Sequence, residues 1–159
     1  MDDIDRRLLD LLQRNGRTTQ IDLAREVGLS QPAVAERIKK LEERGVIVGY
    51  TALVDAAQLG LDITAFVGVG IDHPKHFDGF LRRVKGLDEV LECHRVAGAD
   101  SYLLKIKTRN TRTLDRLLVE VLRTIPGVTR TCTTIVLASI KEATHIHPNP
   151  PSSIEEEGT

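Results

Sequence analysis

The sequence is short of several things, and each shortage narrows the field. It has two cysteines, Cys93 and Cys132, far apart and without metal-ligand spacing. They read as small core residues of a cytoplasmic protein. No apolar run approaches the ~18 residues that a membrane helix needs. The opening stretch, MDDIDRRLLD, is acidic and has no signal-peptide core. Neither sign of charge is in excess: 22 Lys and Arg face 23 Asp and Glu, a net charge of −1. The chain as a whole therefore carries no nucleic-acid footprint. A Ser-His-Asp pattern, a P-loop and a cofactor glycine fingerprint are all missing, so neither catalysis nor a resident cofactor is expected.

What is present is ordinary for a globular protein. Hydrophobic residues make up 41% and charged residues 28% of 159 positions, which allows one domain or two small ones. The most informative stretch runs from Thr19 to Gly49. Ile21 with Ala24, and Leu23 with Val27, give one apolar helical face. Thr19 and Asp22 suit a capping box, and Gly28 suits a left-handed helix end. Ser30 is placed to cap the next helix, with Pro32 in its first turn. There Val34, Ile38 and Leu41 form one buried stripe.

The opposite face of that helix carries Ala33, Glu36, Lys39 and Lys40, with Arg37 on the flank. Small residues let a backbone approach the major groove, and Arg and Lys reach guanine edges or phosphates. Ser30, Gln31, Ala33, Glu36, Arg37 and Lys40 are the candidate DNA-contacting set. An ordinary amphipathic helical hairpin is the alternative. Residues 1–50 hold nine basic and nine acidic side chains, so phosphate affinity alone would be modest and dimerisation would be needed.

Around this pair, residues 3–15 predict a first helix with Ile4, Leu8, Leu11 and Leu12 inward and Gly16 at its end. The β-rich run 46–54 predicts a small wing and a linking strand. Three helices and a wing make a core that is marginal alone. Strands are expected over 63–71, 89–97, 102–108 and 128–140, and helices over 74–85 and 111–124. The helices turn Phe77, Leu81 and Val84, then Leu114, Leu117, Leu118, Val121 and Leu122, inward. The β-α-β-β-α-β order is that of a ferredoxin-like sheet with both helices on one face. Phe66, Cys132 and Val136 make the other face apolar too, which implies cover by a second subunit. The fold class is α+β: a winged helix-turn-helix over 1–54, a ferredoxin-like domain over 61–142, and a disordered tail over 143–159. His145 and His147 in that tail read as dangling histidines.

The runs 5–17, 22–30 and 37–42, with Gly45-Val46-Ile47 and the domain order, resemble the Lrp/AsnC family of bacterial and archaeal transcription regulators over about residues 2–142. The resemblance implies a DNA-binding regulator that dimerises, assembles further, often to octamers, and binds small effectors, commonly amino acids. The family's Gly-x-x-Asp-Tyr-Leu-Leu loop corresponds here to Gly98, Ala99, Asp100, Ser101, Tyr102, Leu103 and Leu104, with Ser101 replacing the acid. Gly98 suits a positive φ that exposes N–H groups to a carboxylate. Asp100 suits an ammonium and Ser101 offers a hydroxyl. Thr131, Thr133 and Thr134 lie close to the family's Thr-x-Thr pattern. A plain hairpin turn is the competing reading. Two other functions stay open. Some proteins resembling this family are siroheme decarboxylases with a His- and Arg-lined tetrapyrrole pocket, for which His73, His76, His94 and Arg95 are candidates. The other is an effector-sensing partner with a vestigial DNA reader.

Overall fold

The computed structural model describes residues 1–148. It divides into two compact units. Met1–Leu53 groups with residues 141–148, and Val54–Ile140 forms the other.

The first unit is built on α1 (Asp3–Arg14), α2 (Gln20–Val27) and α3 (Gln31–Glu43). Asp2 closes α1 with a full capping box: its side chain accepts the Asp5 N–H, and the Asp5 carboxylate accepts the Asp2 N–H. Thr19 caps α2 by accepting the Asp22 N–H. Gly28 ends α2 at φ 68°, a backbone state that glycine adopts without a Cβ penalty. Ser30 departs from expectation. It stands at the N-cap of α3 with extended φ and ψ, yet its side chain makes no capping hydrogen bond. The core is small: Leu8, Leu23, Ala24, Val34 and Ile38, with Ile4, Leu11, Leu12, Val27, Leu29 and Ile47 packed around it.

No strand pairing forms within residues 46–54, so the expected wing and linking strand are not built as a ladder. β-branched content favours extended chain, but a strand also needs a partner edge. Val48 is 94% exposed. Tyr50 ties this segment back to α3 by donating to Glu42 at 2.9 Å. Burial, with Glu42 alongside, pushes its hydroxyl up to about 12.

The expected tail also begins differently. Instead of leaving the surface at Ala143, the chain lies against α1. Gln13 donates through Nε2 to the Ile146 carbonyl and accepts the Ile146 N–H at Oε1, both at 2.8 Å. A side-chain amide thus pairs with a peptide as a neighbouring strand would. His145 Nε2 lies 3.1 Å from Asp10, so His145 has a fixed partner. The remainder of the expected tail, 149–159, lies outside the described residues.

The second unit is a four-stranded antiparallel sheet ordered β2-β3-β1-β4, from β1 (Ile63–Ile71), β2 (Val90–Arg95), β3 (Tyr102–Thr108) and β4 (Val128–Ile135). One face is covered by α4 (Phe77–Lys85), which follows a 3-10 turn at Pro74–His76, and by a helix that starts as α5 (Thr111–Arg116). That helix widens to a π turn over Leu117–Val121 and tightens to a 3-10 turn over Leu122–Thr124. Leu114, Leu117 and Leu122 are buried through these changes, while Leu118 and Val121 pack from the margin. On α4 it is Phe80, with Val84, that is fully inside, and Phe77 and Leu81 flank it. Strands β2 and β4 are shorter than the sequence pattern suggested. Leu137 and Ile140, beyond β4, are more than nine-tenths exposed and have no strand to pair with.

The register fixes what the uncovered face presents. Phe66 opposes Lys105 and Thr134, Gly68 opposes Leu103 and Cys132, and Gly70 opposes Arg130. Apolar and small residues (Phe66, Gly68, Leu103 and Cys132) cluster on this face, with Lys105 and Lys107 on β3 and Arg130 on β4 beside them.

Candidate DNA reader and ligand loop

Helix α3 buries Val34, Ile38 and Leu41 and turns Gln31, Glu36, Lys39 and Lys40 to solvent. Ala33, Glu36, Arg37 and Lys40 line one groove together with Arg44 at the C-cap of α3. Four of the six sequence-derived contacts therefore converge, while Ser30 and Gln31 sit exposed at the start of the helix. Lys40 reaches Glu36 at 3.3 Å and Lys39 reaches Glu43 at 3.7 Å. Such exposed pairs are weak and are easily exchanged for phosphate.

Arg37 plays another part. Its guanidinium donates to Asp5 at 2.7 Å and to Asp2 at 2.8 Å. These bonds raise the Arg37 pKa. The Asp2 carboxyl is held below its ordinary value, first by the Asp5 N–H and then by Arg37. Arg37 clamps α3 to the start of α1 instead of standing free at a groove. Sequence spacing cannot separate the two roles, because the clamp joins residues 35 positions apart. Arg44 is the cation that the sequence reading passed over; Gly45 marked only the helix end. Among the described residues Arg44 has no ion partner closer than 4.0 Å.

The other sequence-derived set is divided by the sheet. Loop 96–101 joins β2 to β3, with Val96 N–H bonded to the Ser101 carbonyl. Ser101 Oγ accepts the Ile71 N–H at 3.1 Å, and its own N–H bonds the Val69 carbonyl. Asp100 Oδ1 accepts from Arg130 Nη2 at 2.7 Å, and the same nitrogen donates to the Ala99 carbonyl at 2.8 Å. Gly98 does not take a positive φ, so the expected left-handed turn is absent. Tyr102 turns to the other face. It is 3% exposed, between the rings of Phe77 and Phe80 at 5.5 and 5.0 Å. Burial pushes its hydroxyl pKa up. Thr131 and Thr133 share that helix-covered side, where Arg123 Nε donates to Thr131 at 3.1 Å. Thr134 pairs with Phe66 on the uncovered side.

The tetrapyrrole candidates do not converge. His94 bonds Glu92 at 3.1 Å on the uncovered face. Arg95 lies 5.1 Å from the centre of the Phe77 ring on the other. His76 is held by Asp72 at 2.7 Å, and His73 accepts the Lys75 N–H. No group of three or more His, Cys, Asp or Glu suited to a metal occurs among the described residues. No helix there is long and apolar enough to cross a membrane.

A helix-turn-helix with a cation-edged third helix, followed by a βαββαβ unit with a polar loop on its free face, defines a two-domain DNA-binding transcription regulator. Residues 1–48 match the winged helix-turn-helix DNA-binding model, and residues 64–146 match the Lrp/AsnC ligand binding domain. The leucine-responsive regulatory protein of Escherichia coli K12 is 36% identical over 148 residues, 92% of this chain and 90% of that one. A transcriptional regulator from Neisseria meningitidis, solved with L-methionine, superposes with a TM-score of 0.88 at 30% identity, covering 92% of this chain and 96% of that one. A feast or famine regulatory protein from M. tuberculosis, complexed with L-methionine, gives 0.85 at 37% identity over 92% and 99%. The chain belongs to the Lrp/AsnC family of transcription regulators.

Proposed function

We propose that this regulator reads operator DNA through α3 as a dimer and changes its DNA binding or assembly when an L-amino acid occupies the loop at 98–101. One observation carries the reader assignment: α3 buries its apolar stripe while Ala33, Glu36 and Lys40 share a groove with Arg44. Small and cationic groups on an exposed helix suit the major groove. Two readers in a dimer would engage half-sites about 34 Å apart, one helical turn of DNA. The dimer surface is the uncovered sheet face, where Phe66 and Leu103 are partly exposed. Further assembly of dimers would bend DNA and add specificity through its deformability. The two relatives solved with L-methionine support an amino acid as effector and make methionine the first to try.

Mobility shift of a promoter fragment from the protein's own gene tests this, at two salt concentrations, with and without a pool of amino acids. The expected result is salt-dependent binding that the pool alters. Binding indifferent to every amino acid would sink the effector assignment. No binding at low salt would make α3 a vestigial reader.

A further inference from the structure

A cavity of about 450 Å³ lies in the helix layer of the sheet unit, between the start of α4 and the turn that enters β4. None of its lining belongs to a strand, so a second subunit on the uncovered face leaves it open. Lys75, Gly79, Arg82 and Arg83 follow one another at helical spacing through the 3-10 turn and α4, which puts them on one side. Gly79 adds no side chain between the cations, and a Cβ there would meet nothing within 4 Å. Among the described residues none of the three cations has an ion pair within 4.0 Å, and Lys75 acts on Asp72 only through space. Against them the lining sets one acid, Asp78. His76 is built into the wall. Asp72 holds its Nδ1 at 2.7 Å, and the ring lies over Gly127, where a Cβ would collide with it. The Gly127 carbonyl accepts the Asp72 N–H at 3.0 Å, so the turn into β4 carries ring and carboxylate as one piece. That leaves Nε2 as the ring's remaining hydrogen-bonding atom. The Thr124 hydroxyl donates to the Glu120 and Val121 carbonyls and closes the helix end behind the cavity.

We infer that this cavity is a further small-molecule site of the regulator and takes a phosphate-bearing metabolite. Two guanidinium groups and an ammonium offer donors and fixed positive charge, with no acceptor among them. Phosphate answers with more than one negative charge and with oxygens that engage the guanidinium fork in pairs. A single carboxylate leaves most of the cations unanswered. Like charges around one cavity repel, and a polyanion turns that repulsion into attraction. The volume falls within the roughly 300–1,000 Å³ of small-molecule pockets and exceeds what inorganic phosphate fills. Ile125 and Pro126 complete the lining and give an organic body an apolar wall. The phosphates of duplex DNA are the other source of this chemistry, but a duplex presents them on a convex surface and this site is concave. The inference stands apart from the amino-acid effector and does not depend on it.

Titration calorimetry on the full chain tests it with two probes, inorganic pyrophosphate and adenosine diphosphate. Both are expected to bind once per chain, the nucleotide more tightly. Arg82→Gln and Arg83→Gln should each weaken both probes about 10- to 100-fold, as loss of a charged hydrogen bond does, and the double variant should bind neither. Arg112→Gln removes the same charge from α5 outside the cavity and should stay within about 2-fold of wild type. Thermal melts should coincide for all these variants, because the arginines removed have no ion partner to lose. No binding of either probe, binding that survives the double variant, or an equal loss in Arg112→Gln would overturn the site. Pyrophosphate bound without the nucleotide would overturn the organic ligand and leave an anion site. If the wild type binds neither probe and the double variant lowers the salt slope of promoter binding by about 2, the cations belong to the DNA backbone and the small-molecule site is overturned.

Discussion

The reader unit and the sheet unit are held together by different forces. The sheet unit buries twelve apolar side chains in one cluster, with Phe80, Leu104, Ile106 and Leu122 fully inside. The reader's cluster holds five, with Leu41 buried besides, and it adds polar ties: the Asp2 capping box, the Arg37 clamp, and Asp10 with Arg7, Arg14 and His145 around it. Burial scales with area and is indifferent to pH, whereas ties between charged groups titrate. The unit that must find DNA is the one whose stability depends on solution conditions.

Deleting core atoms should show the contrast most strongly. Phe80→Ala should cost about 3–5 kcal/mol and lower the calorimetric transition of the sheet unit. Leu8→Ala should cost about 2–5 kcal/mol. In the smaller core that should abolish promoter binding while the sheet unit's transition stays in place. A single merged transition shifted equally by both variants would erase the distinction.

Acid should separate the units next. The Asp2 carboxyl titrates below its ordinary value in the folded chain. Its contribution is therefore complete above the unfolded value, about pH 4, and is lost as pH falls through the lower folded one. Asp10 follows the same sign. Burial alone would raise it, but hydrogen bonds from Arg14 and His145 outweigh burial and hold it low. Far-ultraviolet dichroism from pH 5 to 2 should show the reader helices melting before the sheet. Arg37→Gln should flatten that early phase, and an unchanged profile would remove the clamp from the account.

Smaller effects discriminate further. Gln13→Ala should release the Ile146 peptide at a cost of about 0.5–1.5 kcal/mol, seen as faster hydrogen exchange at the Ile146 amide. Lys40→Ala should leave stability within about 0.5 kcal/mol. It should weaken operator binding at all sequences and lower the salt slope by about 1. If Lys40→Ala binds like wild type, α3 contacts DNA elsewhere.

The strands at the centre of the sheet were legible because their neighbours fix them. β1 and β3 begin and end where alternation predicts: one face of β3 is buried throughout, and on β1 Ala65, Val67 and Val69 are buried between partly buried Ile63 and Ile71. The outer strand β4 ends five residues early, just before the Val136 N–H makes its last bond to β1 at the Thr64 carbonyl. The wing segment, which lies within the matched winged helix-turn-helix at its start, forms no ladder at 46–54 because extended propensity does not supply an edge to pair with. Gly98 was chosen from a motif, and glycine's freedom is unused there. Arg130 gave no local signal. Its ion pair with Asp100 depends on a register that sets it beside Gly70 and near a loop 30 residues away. Arg37 was found as a cation on the right helix, but its partners lie at the other end of the unit.

The Gln13–Ile146 tie makes the order of synthesis matter. The reader's helices are made before the sheet unit, and the segment that lies on α1 is made after it. Through translation of the sheet unit, the nascent reader holds only the contacts encoded in its first fifty-odd residues. The ties from His145 and Ile146 are added only once that segment has emerged, after the sheet unit between has been made.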